Sequence, residues 1–193
     1  MPHTIKSRPP FVFGTDRHVG FADDEVLSGL RVLIADPYPQ LREIMRDILL
    51  RGIGVDEVIE AKNGEEVLAL LSKLACDVAI IDCAMAPLGG VELTKRIRKG
   101  VEGIDPFLPV ILVSGRADVA EIIAARDVGA NEYLAKPLSA KILDLRLNSV
   151  IKRPRPFVRT DNFFGPDRRR HAKDGFGGSE RRNHEVDAID LNK

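Results

Sequence analysis

The chain predicts an α/β protein, a doubly wound five-stranded parallel sheet with helices on both faces and disordered or extended segments at the two ends. Three observations predict it. Short aliphatic or β-branched runs alternate with stretches of helical periodicity, the runs are bounded by turn chemistry, and four of them stop at a polar residue: Asp36, Asp82, Ser114 and Lys136. Parallel strands in an open α/β sheet end along one common edge, where ligands bind. Residues far apart in sequence are therefore expected to meet there.

The strand-like runs are Arg31 to Ala35, Asp77 to Ile81, Pro109 to Val113 and Glu132 to Ala135, and Val55 to Glu60 supplies a fifth. Helical spacing of apolar residues covers Leu41 to Leu50, Glu65 to Leu74, Val91 to Lys99, Val119 to Val128 and Ala140 to Ile151. Asn63-Gly64 closes the second strand, while Gly52, Gly100 and Gly129 are placed to stop helices. Five strands and five helices in alternation imply right-handed crossovers and a sheet covered on both sides.

The 193 residues suit one domain with extensions, and 44% hydrophobic content suits a packed core. Lysine plus arginine and aspartate plus glutamate number 29 each, which argues against a protein that coats nucleic acid with its whole surface. Cys76 and Cys83, in a chain without a secretory signal, read as reduced core thiols. No run reaches membrane-spanning length, so a cytoplasmic protein is expected. The four histidines lack metal-ligand spacing with the cysteines.

At the shared edge, two carboxylates, a hydroxyl and an ammonium form a small chemical inventory. Paired acids collect a hard cation such as magnesium, which takes oxygen ligands and keeps its own waters. A carboxylate can act as a nucleophile, and phosphoryl transfer asks chiefly for positioning and charge neutralisation. Each residue also has a plainer use: Asp82 and Ser114 as turn residues, Asp36 as an N-cap for a helix that Pro39 starts, and Lys136, held extended by Pro137, as a solvated surface lysine.

The matching stretches Val32-Leu-Ile-Ala-Asp-Pro-Tyr-Pro-Gln-Leu-Arg42, Ala79-Ile-Ile-Asp-Cys-Ala-Met-Ala-Pro-Leu-Gly-Gly-Val91, Pro109-Val-Ile-Leu-Val-Ser-Gly115 and Gly129-Ala-Asn-Glu-Tyr-Leu-Ala-Lys-Pro137 occur in order. Together they resemble the response-regulator receiver domain of two-component signalling, over about Leu30 to Ile151. The resemblance implies a flavodoxin-like or CheY-like fold with strand order 2-1-3-4-5. It implies Asp82 as phosphoacceptor, with Asp36, Asp82 and the Ala84 carbonyl around a magnesium ion. Ser114 and Lys136 would contact the phosphoryl group, and Tyr133 would be the aromatic switch residue.

Two positions depart from the family pattern. Receivers usually carry a second acid directly after the one matched by Asp36, and here that position is Pro37. Proline offers no side-chain oxygen, so the metal site loses a ligand and a negative charge and magnesium should bind more weakly. The loop Met85-Ala-Pro-Leu-Gly-Gly90 also differs, at positions that shape the loop more than they carry chemistry.

Outside the expected domain, 29–151, lie an N-terminal arm, 1–28, read as flexible, and a polar, arginine-rich tail, 152–193. The tail has no sustained apolar period, and it is expected to bury too little surface to offset its ordering entropy and to stay largely extended. Basic residues interleaved with Phe157, Phe163, Phe164 and Phe176 would suit single-stranded nucleic acid. Acids dilute that charge, however, and docking of the rings on the protein's own domain or on a partner is the preferred reading.

The resulting expectation is a stand-alone response regulator, a signalling protein and not an enzyme. It would take a phosphoryl group on Asp82 from a histidine kinase or phosphotransfer protein and would signal by altered binding of a downstream protein. No DNA-binding output domain is expected, because the tail is too short and polar for a second core. A second reading stays open, in which Pro37 makes the chain a pseudo-receiver that acts as a phosphorylation-independent interaction module. The kinase, the partner and the oligomeric state are not specified.

Overall fold

A computed structural model describes residues 27, 29–116, 118–168 and 187–189. Five parallel strands, β1 (Arg31–Ala35), β2 (Glu57–Ala61), β3 (Val78–Asp82), β4 (Val110–Ser114) and β5 (Glu132–Ala135), form one sheet in the order β2-β1-β3-β4-β5. Helices α1 (Pro39–Asp47), α2 (Gly64–Leu71), α3 (Gly90–Lys99), α4 (Val119–Asp127) and α5 (Ala140–Lys152) connect and follow them. This is the doubly wound arrangement that the alternating pattern predicted.

The central strands are buried on both faces, which is why they read as continuous apolar runs and not as an alternation of apolar and polar residues. Leu33, Ala35, Ala79, Ile81, Val110 and Leu112 pack on one side with Val67, Leu93, Ile97 and Ala125. Val32, Ile34, Val78, Ile80, Ile111 and Val113 pack on the other with Met45, Leu49, Leu143 and Leu147. Two cores sandwich the sheet and hold its edge rigid.

Local boundaries differ from the sequence expectation in instructive ways. β3 and β4 each run one residue further than expected, so that Asp82 and Ser114 are the last paired residues of their strands, opposite Val113 and Ala135. Asp36 is not the N-cap of α1. Tyr38 holds that position without a side-chain bond, and Pro39 occupies the first turn. Beyond Asp47 the helix continues over Ile48–Ile53 in a wider winding, and it is Gly54, at φ 84°, and not Gly52, that ends it, its N–H donating to Leu49 O.

The expectation that the tail would not pack is corrected for one stretch. β6 (Phe157–Thr160) and β7 (Phe163–Pro166) form an antiparallel hairpin, and β8 (Asp187–Ile189) pairs with the other edge of β6. Phe157 is only 2% exposed. Its ring lies 5.2 Å from that of Phe107 and 5.5 Å from that of Phe164, and the Arg98 guanidinium stands 5.1 Å from its centroid. Phe157 and Phe164 thus dock on the protein's own domain, Phe163 lies under the Arg168 guanidinium of the hairpin's end, and Phe176 lies outside the described residues. The hairpin approaches closely at Gly129, where φ is 87° and a Cβ would stand 2.7 Å from Phe164 O.

Arg98 is the buried post of this junction. It donates to the carbonyls of Gly129 and Pro106 and to Asn131 Oδ1, and burial pulls its pKa down to about 10. Arg155 donates to Asn131 O, and Arg168 pairs with Asp127 at 3.1 Å. Local periodicity could not show this, because the apolar and hydrogen-bonding partners lie in α3, at the end of α4, and in the loops before β4 and β5.

Candidate functional site at the carboxyl edge of the sheet

The four polar strand-end residues separate into two linked groups. Asp36 is fully buried and Asp82 is 5% exposed, and the Lys136 ammonium bridges them, 2.6 Å from Asp36 Oδ2 and 2.7 Å from Asp82 Oδ1. Ser114, at 2% exposure, donates instead to Glu121 Oε2 at 2.6 Å. Tyr133 donates to the same glutamate oxygen at 2.7 Å.

Backbone contacts fix where each side chain starts. Asp36 N–H bonds to Ala61 O, and Arg42 Nη1 donates to Asp36 O at 2.7 Å. Cys83 N–H donates to Val113 O, and Lys136 N–H to Ser114 O, each at 2.8 Å. The peptide from Lys136 to Pro137 is cis. After β3 the chain turns back so tightly that a Cβ on Gly90 would lie 2.6 Å from Asp82 O. Only glycine permits the first turn of α3 to sit that near the strand end.

Asp36, Asp82 and Ser114 share one local device. Each accepts the N–H two residues ahead: Tyr38 to Asp36 Oδ1 at 2.8 Å, Ala84 to Asp82 Oδ2 at 2.8 Å, and Arg116 to Ser114 Oγ at 3.0 Å. The plain turn-forming role and a chemical role therefore coexist in the same side chains. Turn formation orients them, and the remaining lone pairs face the edge.

The electrostatics follow from the bridge. Burial pulls the Lys136 ammonium toward neutrality, yet its hydrogen bonds to Asp36 and Asp82 and their charges outweigh that and hold its pKa above the ordinary lysine value. Burial pushes the Cys83 thiol up to about 12, with the Glu121 and Asp82 carboxylates adding to the rise. Partial burial pushes the Tyr133 phenol up to about 12; the Ser114 contact opposes this and the Glu121 carboxylate reinforces it.

Glu121 was not foreseen. Asp118-Val-Ala-Glu121 reads as a helix-capping pattern, and Asp118 does accept the Glu121 N–H at 2.8 Å. The glutamate side chain, however, is used at the sheet edge. Its spacing of seven residues from Ser114 was the only local hint.

A five-stranded parallel sheet in this order, with two acids and a lysine gathered at its carboxyl edge, invites comparison with known families. The family model of the response regulator receiver domain matches residues 32–148. The chain belongs to this family.

It is similar to a chemotaxis protein CheY homolog of Campylobacter jejuni, 33% identical over 123 residues, covering 63% of this chain and 92% of that protein. It is also similar to the "Probable transcriptional regulator ycf27" of Guillardia theta, 36% identical over 123 residues, covering 64% of this chain but 46% of the relative. The chain therefore spans about half the length of the latter relative. Among solved structures, the receiver domain of the Francisella response regulator 1452 matches with a TM-score of 0.58 at 30% identity, over 65% of this chain and 98% of that chain. The protein is thus a CheY-like receiver of two-component signalling, a family of signalling modules. No helix among the described residues is long and apolar enough to cross a membrane.

Receivers of this family typically use magnesium. The donor set of this receiver fits such an ion, because one cationic nitrogen already lies within 2.7 Å of both carboxylates. Among the described residues no group of three or more histidine, cysteine, aspartate or glutamate side chains is arranged to hold a metal. Two carboxylates remain, and a magnesium shell can be completed by waters.

Proposed function

We propose that this receiver accepts a phosphoryl group on Asp82 from a histidine kinase or phosphotransfer protein and signals through altered protein binding. The observation that carries the reading is the Asp36–Lys136–Asp82 bridge at the closed end of the sheet edge. In the transfer, an Asp82 carboxylate oxygen bonds to phosphorus as the bond from phosphorus to the donor's imidazole nitrogen breaks. The electron pair leaves with the imidazole. Lys136, held between the acids, neutralises charge on the incoming phosphoryl oxygens, and Ser114 supplies a hydroxyl donor.

Asp36, Asp82 and the Ala84 carbonyl would hold magnesium, which supplies charge neutralisation for the transferring group when bound. Binding should be weak in this chain because Pro37 removes one carboxylate. Phosphorylation then biases a two-state element: Ser114 is drawn toward the phosphoryl group, Tyr133 packs inward, and the face of α4, β5 and α5 changes its affinity for a protein partner. Val119, Ile122 and Ile123 leave apolar side chains exposed on α4, which supports that face as the output surface. We further read the chain as a stand-alone receiver acting in the cytoplasm, by likeness to the CheY homolog that it matches across 92% of that protein's length.

The test is incubation of the full chain with a small acyl phosphate and magnesium, followed by mass spectrometry. We expect an adduct labile to acid and base that is lost in Asp82→Asn. Pro37 favours a second reading, a phosphorylation-independent interaction module. Absence of any adduct at magnesium concentrations well above physiological would favour that reading over the first.

A further inference from the structure

Glu121 holds the two hydroxyls on which switching would depend. Ser114 has one hydroxyl proton, and it is committed to Glu121 Oε2 at 2.6 Å, while Ser114 Oγ itself accepts from Arg116 N–H. Tyr133 also has one proton, placed between the same Glu121 oxygen at 2.7 Å and the Arg116 carbonyl. A carboxylate with two short hydroxyl donors makes charge-assisted bonds, stronger than neutral ones. The helix does not need this side chain for its own capping, since Asp118 already satisfies the Glu121 N–H.

We propose that Glu121 is a positioning residue that locks the unphosphorylated arrangement and sets how readily Asp82 is phosphorylated. This rests on the reading of Asp82 as phosphoacceptor. A phosphoryl oxygen can receive the Ser114 proton only if Glu121 gives it up, so two anionic acceptors compete for one donor. Tyr133 is tethered by the same oxygen and cannot pack inward while the bond lasts. The glutamate charge acts in the same direction. It holds the Ser114 hydroxyl at 2.6 Å, so its charge stands beside the place a phosphoryl oxygen bonded to that hydroxyl would take, and it opposes an incoming anion. Loss of the Glu121 carboxylate thus releases the Ser114 hydroxyl, leaves Tyr133 only the neutral Arg116 carbonyl, and removes a repulsion.

The chain contains two tyrosines and no tryptophan, so a Tyr38→Phe background leaves Tyr133 as the single near-ultraviolet reporter. Tyr38 enters the site through its backbone N–H, which phenylalanine keeps. In that background, full-length protein, Glu121→Gln and Glu121→Ala are compared for the initial rate of adduct formation with acetyl phosphate and magnesium, and for tyrosine absorption without donor. Loss of a hydrogen bond to a charged group leads us to expect a rate increase of roughly tenfold in Glu121→Ala, with Glu121→Gln between it and the parent. The Tyr133 absorption should move to shorter wavelength in the same order. Equal adduct rates in all three proteins would overturn the lock while leaving Asp82 as acceptor, and so would an unchanged tyrosine spectrum. No adduct in any of them, Glu121→Ala included, would overturn the phosphoacceptor reading and the lock with it.

Discussion

Asp36 and Asp82 share a single counter-ion: Lys136 Nζ lies 2.6 Å from one carboxylate and 2.7 Å from the other. The two acids are nearly or fully buried, while the lysine side chain is 21% exposed. An ammonium in that position offsets the repulsion of two carboxylates that would otherwise face each other at a dry sheet edge. It also holds both carboxylates along one rim, where their oxygens can serve a bound cation.

Lys136 should therefore titrate later than a surface lysine. Its folded-state pKa is raised, so its contribution to stability is fully present below the ordinary lysine value of 10.5 and is lost as pH rises through the higher folded value. A pH titration following the Lys136 13Cε chemical shift checks this. A midpoint at or below that of the exposed lysines would refute the bridge. Lys136→Met should lower stability in urea by about 2 kcal/mol at neutral pH, since it strands two close acids, and added magnesium should restore part of the loss.

Pro37→Asp should tighten magnesium binding by roughly tenfold, because it restores one oxygen ligand and one negative charge beside Asp36. Calorimetric titration of both proteins with magnesium measures it. Equal affinities would show that the proline is not what limits the metal site.

Phe157→Ala should destabilise the protein by about 3 kcal/mol, the usual range for removing a buried aromatic ring, through loss of its packing on Phe107, Phe164 and Arg98. Among the described residues, the two cores flanking the sheet draw only on residues 27–151. A chain truncated after Arg153 should accordingly still unfold cooperatively, but at a lower Tm than the full chain. Loss of cooperativity in thermal scans would show that the hairpin belongs to the central folding unit.

What could be read from the sequence was whatever a local window encodes. Apolar runs such as Val32 to Ala35 and Val110 to Val113 announced buried parallel strands, and the strand-end position of Asp36, Asp82, Ser114 and Lys136 announced a common rim. The family motifs supplied strand order and the choice of phosphoacceptor. The structure brings Asp36, Asp82 and Lys136 into contact and places Ser114 and Tyr133 around a different carboxylate.

That last arrangement was beyond the sequence alone, because Glu121 satisfied a local helix-capping pattern while its side chain served partners on β4 and β5. The hairpin from Phe157 to Pro166 was hidden for the same reason. Its strands are too short and mixed to show a period, and its burial comes from Phe107, Arg98 and Gly129. Backbone periodicity and turn chemistry are properties of neighbours along the chain, so the sequence determined the layers and the rim. Which donor meets which acceptor depends on groups that only chain folding brings within 3 Å, and the tertiary structure alone decided that.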